Sequence, residues 1–542
     1  MRRILAATAL AGVLGLAVGW YYVAHRPAAG PELASDQTLR LALSADVETL
    51  DPAQLRQPSV GYSMARNVFG GLYKLDAALR TVPDLAAGPP AVSADGLTWT
   101  FKLKPNALFS NGDPVHARDF IYSWSRTASF PTGDATLFDP VAGFAAVQAG
   151  TSGTLAGLSA PDEQTLVARL TQPAGFWYAE LAHPAASVID EKVVKARGET
   201  GWWSTPQGLV GTGPFEMVAR DPGRSLDFEP VPHWWGGGNG SLHVHAEVVG
   251  SARDQVRAYE QGKFDIVGYA PENTAPSLDP ADLLRYRGQE QLVSRPWLKS
   301  EFVLFNFSRG GFSSVAGDLP ARQAFSRGID RQVLAANWCQ QGTTCQPATG
   351  GLIPKGLAGY LGDGADSTAV FTPAAAKQAL AVWDPTGSRR QGLTLTAAPG
   401  FEGLARELAR QWKANLDVDV AVTAPDASAF RAIRGQRLFT FVVGGFVYDY
   451  NSPHDWLPEL FRNGLTGYHN VAFDSLLAKA DAELDPAAAA DYAKAGTMLL
   501  DDAAYIALDY PLGIYLVKPY VRGAGGNAVD EYAWSGITIA RH

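Results

Sequence analysis

The chain has 542 residues, more than one hydrophobic core normally supports, so two or three domains are expected. Hydrophobic residues make up 46% and charged residues 18%, the composition of a folded soluble body. The net charge of −9 makes a nucleic-acid partner unfavourable, and the chain contains no Gly-x-Ser-x-Gly or His-Glu-x-x-His motif of a hydrolase.

The amino-terminal segment is apolar enough to enter a membrane. Arg2 and Arg3 precede an apolar run over residues 4–24, which is about long enough to cross a bilayer. The basic flank is expected to stay cytoplasmic and to direct the rest of the chain outward. A cleaved signal peptide and an uncleaved anchor both fit. The length of the run favours an anchor over residues 1–26, followed by a tether over residues 27–36.

Short periodic segments predict the first folded elements. Residues 39–43 and 99–103 alternate between apolar and polar side chains, which predicts two strands. Residues 111–114, Asn-Gly-Asp-Pro, predict a turn. The helix expected after this turn carries Phe120 and Trp124 on one face, and both aromatic side chains are interpreted as core residues.

The second half of the chain predicts a β-α-β unit. Leu393 and Leu395 begin a strand, and residues 418–422 alternate as a second strand. Between them four apolar residues at four-residue spacing predict a helix: Leu404, Leu408, Trp412 and Leu416. Such a unit indicates an α/β lobe in the C-terminal half.

Three further elements are expected around this unit. Thr372 and Pro373 supply the N-cap and first-turn proline of a helix that ends at Trp383. Residues 486–500 are predicted to be helical, and residues 505–517 are predicted to be extended.

Two cysteines, Cys339 and Cys345, close a short loop. Outside the cytoplasm such an even pair predicts a disulfide, with free thiols as the alternative. Two thiols do not complete a zinc site, which needs four ligands. His243 and His245 share one face of a predicted strand without an evident third and fourth ligand, so neither a metal nor a cofactor is expected.

The segment from Gly444 to Pro453, Gly-Gly-Phe-Val-Tyr-Asp-Tyr-Asn-Ser-Pro, places Asp449 among aromatic residues. A carboxylate between aromatic rings suits a pocket for a cation carried on a bulky organic ligand. The structural alternative is a loop carboxylate that accepts hydrogen bonds from backbone amides. Nearby His454 is interpreted as a surface hydrogen-bonding residue.

Residues 99–103, 109–114 and 119–124 together resemble the signature of the extracytoplasmic solute-binding proteins of the peptide and nickel class. Other segments resemble the same family in the same order along the chain: 50–52, 66–72, 211–215, 232–236, 305–306, 324–331 and 516–519. The resemblance extends from residue 37 to the C-terminus. The Tyr448 to Pro453 segment resembles the periplasmic oligopeptide-binding branch of this family.

The resemblance implies an α/β fold, a two-lobed class II clamshell with an extra inserted domain. Lobe I would be discontinuous, formed by residues 37–69, 206–298 and 513–542. The inserted domain II would span residues 70–205, and lobe III would span residues 299–512. The two lobes would hinge around a ligand and close over it.

The resemblance also implies a set of peptide-binding residues. Asp449 would hold the α-amine of the peptide, and Gly445 and Phe446 would line the same wall. The remaining members of the implied set are Arg66, the backbone of Gln57, Pro58 and Ser59, Tyr510 and Phe138. Arg66 can equally be a structural salt-bridge residue.

Several positions depart from the family pattern. Val443 stands six residues before Asp449, where close relatives place a basic residue that can meet a peptide carboxyl group. Ala427 stands where an indole is frequent. Lys299 and Val447 occupy the two ends of the family's long-range cysteine bridge, while the Cys339–Cys345 pair is extra.

The implied function is the peptide-binding component of an ABC importer, without catalysis and without a nucleic-acid partner. It would act as a monomer outside the inner membrane and deliver short peptides to a permease driven by a cytoplasmic ATPase. One alternative keeps the fold and changes the cargo to a murein peptide, a metal chelate or haem. The other is a membrane-anchored sensor or envelope-assembly factor that does not transport.

Overall fold

A computed structural model describes residues 32–542 except 57–58, 132, 239, 270–277, 310–311, 463, 485–486, 526 and 530–532. The predicted anchor over residues 1–26 and most of the tether lie outside the described residues. Within them, no helix is both long and apolar enough to cross a membrane.

The strands of the described part of the chain are numbered β1 to β20 in chain order. They are Thr38–Leu43, Tyr73–Leu75, Thr81–Pro83, Ala91–Val92, Thr98–Lys102, Leu158–Asp162, Thr165–Arg169, Phe215–Asp221, Ser225–Pro230, His243–Val248, Ile266–Tyr269, Leu292–Pro296, Lys299–Phe305, Cys345–Pro347, Leu393–Ala397, Val420–Thr423, Phe441–Val447, Tyr505–Val517, Val521–Arg522 and Thr538–Ile539.

The α-helices of the same part of the chain are numbered α1 to α14. They are Val60–Val68, Ala117–Ser129, Phe144–Gln148, Trp177–Glu180, Glu191–Arg197, Ala252–Glu260, Pro280–Tyr286, Leu319–Arg327, Arg331–Trp338, Pro373–Trp383, Glu402–Leu416, Ala427–Gly435, Val471–Ala482 and Ala487–Asp501.

The long strand β18 joins the two main sheet regions. Its first half pairs antiparallel with β13, and its second half pairs antiparallel with β11 and β12. On one side the order continues through β1, β10, β9 and β8, and on the other through β13, β17, β15 and β16. We call the body around the first region lobe I and the body around the second region lobe III. β18 is buried along nearly its whole length. Because the same strand pairs in both sheet regions, it links them directly.

The predicted β-α-β unit is confirmed. β15 and β16 are parallel neighbours, and α11 runs between them with Leu404, Leu408, Trp412 and Leu416 fully buried. The predicted strands at 39–43 and 99–103 are also present, as are the helices beginning at Pro373 and Ala487.

Residues 72–210 surround a separate aromatic core beside the four-stranded sheet β4-β5-β7-β6, and we call this body the inserted domain. Trp99, Phe101, Trp124 and Trp177 meet mainly edge to face within it, with ring centroids 5.4–6.2 Å apart. This geometry suits aromatic rings, and their burial provides much of the free energy that stabilises a small domain. The interpretation of Phe120 and Trp124 as core residues is confirmed, since both side chains are fully buried.

The predicted disulfide between Cys339 and Cys345 is present, with 5.1 Å between the two Cα atoms. It closes the turn between helix α9 and strand β14, and β14 pairs with β18. The disulfide therefore fixes the strand that lies beside the first half of β18.

A buried ion pair links the N-terminal segment of lobe I to the inserted domain. Arg126 on α2 donates two hydrogen bonds to Asp51, of 2.8 and 2.7 Å. The Asp51 side chain is 0% and the Arg126 side chain 6% exposed. Trp202 Nε1 also donates to Asp51, so the carboxylate has several partners. Such a pair fixes the position of the Asp51 segment against the inserted domain, because separation of the two side chains would leave a buried charge unpaired.

We expect Asp51→Ala to lower the free energy of unfolding by about 3 kcal/mol, because the buried Arg126 would keep only its 3.0 Å ion pair with the exposed Glu199 carboxylate. Urea denaturation at pH 7 measures this change. The double variant Asp51→Leu/Arg126→Met should lose less than the single variant, because it leaves no buried charge unpaired. Lys413→Ala, which removes an exposed pair with Asp417, should change stability by less than about 1 kcal/mol. Equal losses in Asp51→Ala and Lys413→Ala would contradict the role of the buried pair.

Candidate ligand-binding site

Strand β17 delivers the Asp449 segment to the edge of lobe III. The strand is held between β13 and β15, and Phe441 and Val443 along it are fully buried. Gly445 permits a close approach at the end of this strand, since a Cβ atom there would lie 3.1 Å from the carbonyl oxygen of Ser300. The strand therefore has two residues without side chains, Gly444 and Gly445, followed by Phe446 and Val447 ahead of the loop that carries Asp449.

The two tyrosines beside Asp449 anchor this loop in different cores. The Tyr448 hydroxyl lies 2.8 Å from Ser300 Oγ, and the ring is buried in lobe III. Tyr450 is 8% exposed and packs into the aromatic core of the inserted domain. Because both neighbours are buried, Asp449 between them is held in place while its own carboxylate faces open space.

Hydrogen bonds set the path of the loop after Asp449. The Asp449 amide donates to Asp455 Oδ2 at 2.8 Å, and the Ser452 side chain caps the short turn Pro453–Asp455. Asn451 donates to the Leu79 carbonyl at 3.0 Å and accepts from the Ala358 amide at 2.9 Å. The loop is thereby attached to the inserted domain as well as to lobe III.

Asp449 opens into a cavity of about 690 Å³ between the inserted domain and lobe III. Ligand pockets in proteins commonly occupy about 300–1,000 Å³. Seven carboxyl groups line this cavity: Asp134, Asp139, Glu180, Asp449, Asp455, Glu459 and Asp481. We call it the acidic cavity. Its other lining residues include Phe176, Phe446, Tyr450, His454 and Arg462.

The inserted domain forms the wall opposite Asp449. Glu180 ends helix α4 and is 6% exposed, and its Oε2 has no hydrogen-bond partner among the described residues. Phe176 stacks on the His454 ring, with centroids 3.4 Å apart and planes 6° from parallel. This stack closes one side of the cavity between the two bodies.

Crowding and like charges raise the pKa values of the cavity carboxyl groups. Loss of hydration and the neighbouring Glu459 raise the pKa of Asp449 to about 6. Loss of hydration and Asp449 raise the pKa of Asp134 to about 7. Burial, with Asp139 nearby, raises the pKa of Glu180 well above its usual range. The cavity therefore disfavours negative charge unless a cation enters it.

The basic side chains near the cavity contact two of the seven carboxyl groups. Arg462 and His454 each lie 2.7 Å from the Asp481 carboxylate. Arg434 lies 3.1 Å from Glu459. Among the described residues, no lysine or arginine forms an ion pair with Asp134, Asp139, Glu180, Asp449 or Asp455. The cavity thus retains unneutralised acceptors on both walls.

The structure brings Phe446 and Asp449 to the acidic cavity, with Gly445 beside them. Ser59 caps helix α1 by accepting from the Tyr62 amide at 3.1 Å. Arg66, on the same helix, lies close enough to His183 to help burial lower the pKa of that histidine to about 3. Gln57 and Pro58 lie outside the described residues. Neither Ser59 nor Arg66 lines the acidic cavity.

Two predicted site residues lie inside cores in this structure. Phe138 is fully buried beside Trp124, with ring centroids 5.3 Å apart. The Tyr510 hydroxyl donates to the Gly351 carbonyl at 2.7 Å within lobe III. Their contact with a ligand stays a prediction.

Sequence reasoning missed most of the acidic cavity. Asp134, Asp139 and Glu180 come from segments that carry no recognisable motif, and Glu180 follows an aromatic run that is typical of a core helix. His454 forms a hydrogen bond, as the sequence predicts, at 2.7 Å from Asp481, but it is partly buried, stacks on Phe176 and lines the cavity. Its position next to the Asp449 segment was the available signal.

A possible metal ligand set lies elsewhere in lobe III. The ligand atoms of Cys339, Cys345 and Asp509 lie within 4.8 Å of one another. The two sulfurs form the disulfide, so neither is a thiolate that could bind a metal.

Comparison with known proteins identifies the family. The family model described as "Bacterial extracellular solute-binding proteins, family 5 Middle" matches residues 80–468. The chain belongs to this family. The curated "Periplasmic oligopeptide-binding protein OppA" of Escherichia coli (strain K12) is 28% identical to it over 560 residues, covering 98% of each chain.

Solved structures show the same fold. The chain superposes on "MppA Periplasmic Murein Tripeptide Binding Protein, Unliganded Open Form" with a TM-score of 0.81 and 24% identity, covering 95% of this chain and 99% of the other. "Listeria monocytogenes OppA bound to peptide" gives a TM-score of 0.64 at 22% identity, covering 94% and 100%. The predicted fold class, a two-lobed α/β clamshell, is confirmed.

We expect Asp449→Asn to raise the melting temperature of the ligand-free protein at pH 7.5. A raised pKa in the folded state means that ionisation of Asp449 destabilises the fold above about pH 6. Below the unfolded value near 3.8 both states bind the proton, so the stabilisation should disappear as the pH falls towards 4.

Thermal unfolding followed by circular dichroism at both pH values measures this difference. Asp419→Asn, at an exposed carboxylate, is the matched control. A melting temperature lowered by Asp449→Asn at pH 7.5 would instead indicate a carboxylate that caps backbone amides.

Proposed function

We propose that the protein is the extracytoplasmic peptide-binding component of an ABC importer, in which Asp449 holds the α-amine of a short peptide. The observation that carries the proposal is the Asp449 carboxylate, which faces the acidic cavity of a family 5 fold without a cationic partner among the described residues. The names of OppA and MppA, which describe oligopeptide and murein tripeptide binding, support a peptide as the cargo class.

The Asp449–amine contact has sufficient energy to determine affinity. At an effective dielectric near 20, an ion pair at 4 Å gains roughly 4 kcal/mol before desolvation. Removal of one partner of a buried pair costs about 3–5 kcal/mol, which corresponds to roughly two to four decades of affinity.

An extended ligand would complete its binding through backbone hydrogen bonds, as an added strand does. The Gly444-Gly445 stretch of β17, four residues before Asp449, presents backbone without side chains. Such backbone contacts do not depend on the ligand sequence, and hydrated pockets tolerate many different side chains. The residues Gln57 to Ser59, Arg66, Tyr510 and Phe138 remain proposed contacts.

Closure of the lobes would occur about the strands that connect them. β18 passes through both sheet regions, and β12 and β13 follow each other beside it. The higher TM-score to an unliganded open form than to a peptide-bound structure supports an open arrangement here. The closed, loaded form would be presented to an inner-membrane permease driven by a cytoplasmic ATPase. Binding and delivery require no catalysis and no cofactor.

This role places the folded body outside the cytoplasm, as the word "periplasmic" in the names of the relatives suggests. The N-terminal segment would then be a signal peptide or an uncleaved tether, and the binding unit would be a monomer.

Calorimetric titration of the refolded, ligand-stripped protein, starting near Ser35, tests the proposal. Tri- to pentapeptides, a murein tripeptide among them, are titrated as free amines and as N-acetyl derivatives. Acetylation removes the ammonium group, so binding should disappear, and Asp449→Asn should weaken binding at least a hundredfold (about 2.7 kcal/mol).

The control Asp419→Asn should bind as the unaltered protein does, because this carboxylate is exposed on lobe III. Binding that ignores both acetylation and Asp449→Asn would remove Asp449 from the site. No binding of any peptide would refute the proposed cargo and favour a different ligand or a role without transport.

The affinity for a free-amine peptide should fall as the pH is lowered through about 6. Asp449 must be ionised to pair with the ammonium, and its pKa in the empty protein is about 6. Each further pH unit below this value costs at most about tenfold in affinity, because one proton must leave. Titrations between pH 5 and 8 measure this, and the residual affinity of Asp449→Asn should be less pH-dependent. A pH-independent affinity would contradict pairing through Asp449.

A further inference from the structure

The acidic cavity holds more carboxyl groups than the α-amine of one ligand can neutralise. Arg462 and His454 contact Asp481, and Arg434 contacts Glu459. The other five lack an ion pair within the described residues: Asp134, Asp139, Glu180, Asp449 and Asp455. Asp455 already accepts the Asp449 amide, which gives it a structural role. After Asp449 binds the amine, three carboxyl groups of the inserted domain still face the cavity.

Glu180 is one of these surplus carboxyl groups, and its burial in the inserted domain fixes it in the cavity wall. The residue is 6% exposed and lines the cavity. The Tyr450 hydroxyl hydrogen-bonds its carboxyl group, yet the Glu180 Oε2 atom has no hydrogen-bond partner among the described residues. Asp134 is half-buried, and its Oδ2 atom likewise has no partner among them. A buried acceptor without a donor is costly, so it is expected where a ligand donor completes the site.

Peptide geometry determines which ligand group reaches these acceptors. The side chain of the first residue branches from the carbon that carries the α-amine, so it must remain near Asp449. The second side chain of an extended peptide points to the opposite face. The first side chain therefore enters the acidic cavity, and its apolar stem can lie against Phe176, Phe446 and Tyr450.

We propose that the acidic cavity binds a second ligand cation, the arginine or lysine side chain of the first peptide residue, against Glu180 and Asp134. The inference rests on the proposed function, because it assumes that the α-amine is held by Asp449. A guanidinium group is the better fit, since it offers five donors to several carboxylates and also stacks on aromatic rings. The protein would then select peptides with a basic amino-terminal residue.

The decisive comparison uses two peptides that differ only in charge. Arg-Ala-Ala and citrulline-Ala-Ala have side chains of nearly equal shape, and citrulline is neutral. Calorimetry with the unaltered protein at pH 7.5 should show at least tenfold tighter binding of the arginine peptide. The ratio should narrow as the salt concentration is raised. Ala-Arg-Ala should bind less tightly than Arg-Ala-Ala.

The double variant Glu180→Gln/Asp134→Asn locates the source of the preference. Both substitutions conserve shape and remove charge, so the ratio between the arginine and citrulline peptides should fall below about threefold. Asp419→Asn should leave the ratio unchanged. If the double variant does not fold, the comparison of peptides on the unaltered chain still decides whether charge is recognised.

The outcomes separate this inference from the proposed function. Equal binding of both peptides, lost on N-acetylation, would overturn the second-cation site and leave the amine site intact. A preference for arginine that persists in the double variant would assign the cation to other residues and overturn the inference. Failure of every peptide to bind would overturn both.

Discussion

A carboxylate that shares one cavity with six other carboxyl groups, and has no cationic partner among the described residues, is the constraint on which the site depends. The neighbouring carboxyl groups repel a negative charge at Asp449, so the fold must hold the carboxylate there against that repulsion. Tyr448 and Tyr450 do so because each is buried in a different body, one in lobe III and one in the inserted domain. The aromatic cores therefore stabilise both the domains and the position of one charge between them.

Repulsion between these carboxylates would also couple the binding of a cationic ligand to closure of the clamshell. Glu180 belongs to the inserted domain, which the Asp51–Arg126 pair ties to lobe I, whereas Asp449 belongs to lobe III. Carboxylates on facing walls raise the free energy of a narrower cavity, and a ligand cation lowers it. Binding and closure are coupled in this way when the ligand interacts more strongly with the closed state than with the open one.

Sequence reasoning predicted the parts of the molecule that depend on local pattern. The apolar residues of α11 from Leu404 to Leu416 and the alternating residues of β1 are periodic along the whole element. The buried face of each element could therefore be predicted from the sequence. Asp449 was found because its aromatic neighbours are adjacent in sequence. Glu180 lies 269 positions earlier in the chain, and nothing around it indicates which lobe it faces. Long-range packing created that juxtaposition, and the charge surplus became visible only in three dimensions.

The three-dimensional structure also explains the departures from the family pattern at the cysteine positions. Lys299 and Val447 stand where the family resemblance places a cysteine bridge, and they pair directly across β13 and β17. Lys299 instead forms a 3.3 Å ion pair with Glu301 and lies over the Phe401 ring. The Cys339–Cys345 disulfide fixes β14 against β18, the strand that enters lobe I. The disulfide of lobe III therefore braces the strand that connects the lobes. β17 is held in its sheet by backbone pairing and by the packing of Phe441 and Val443.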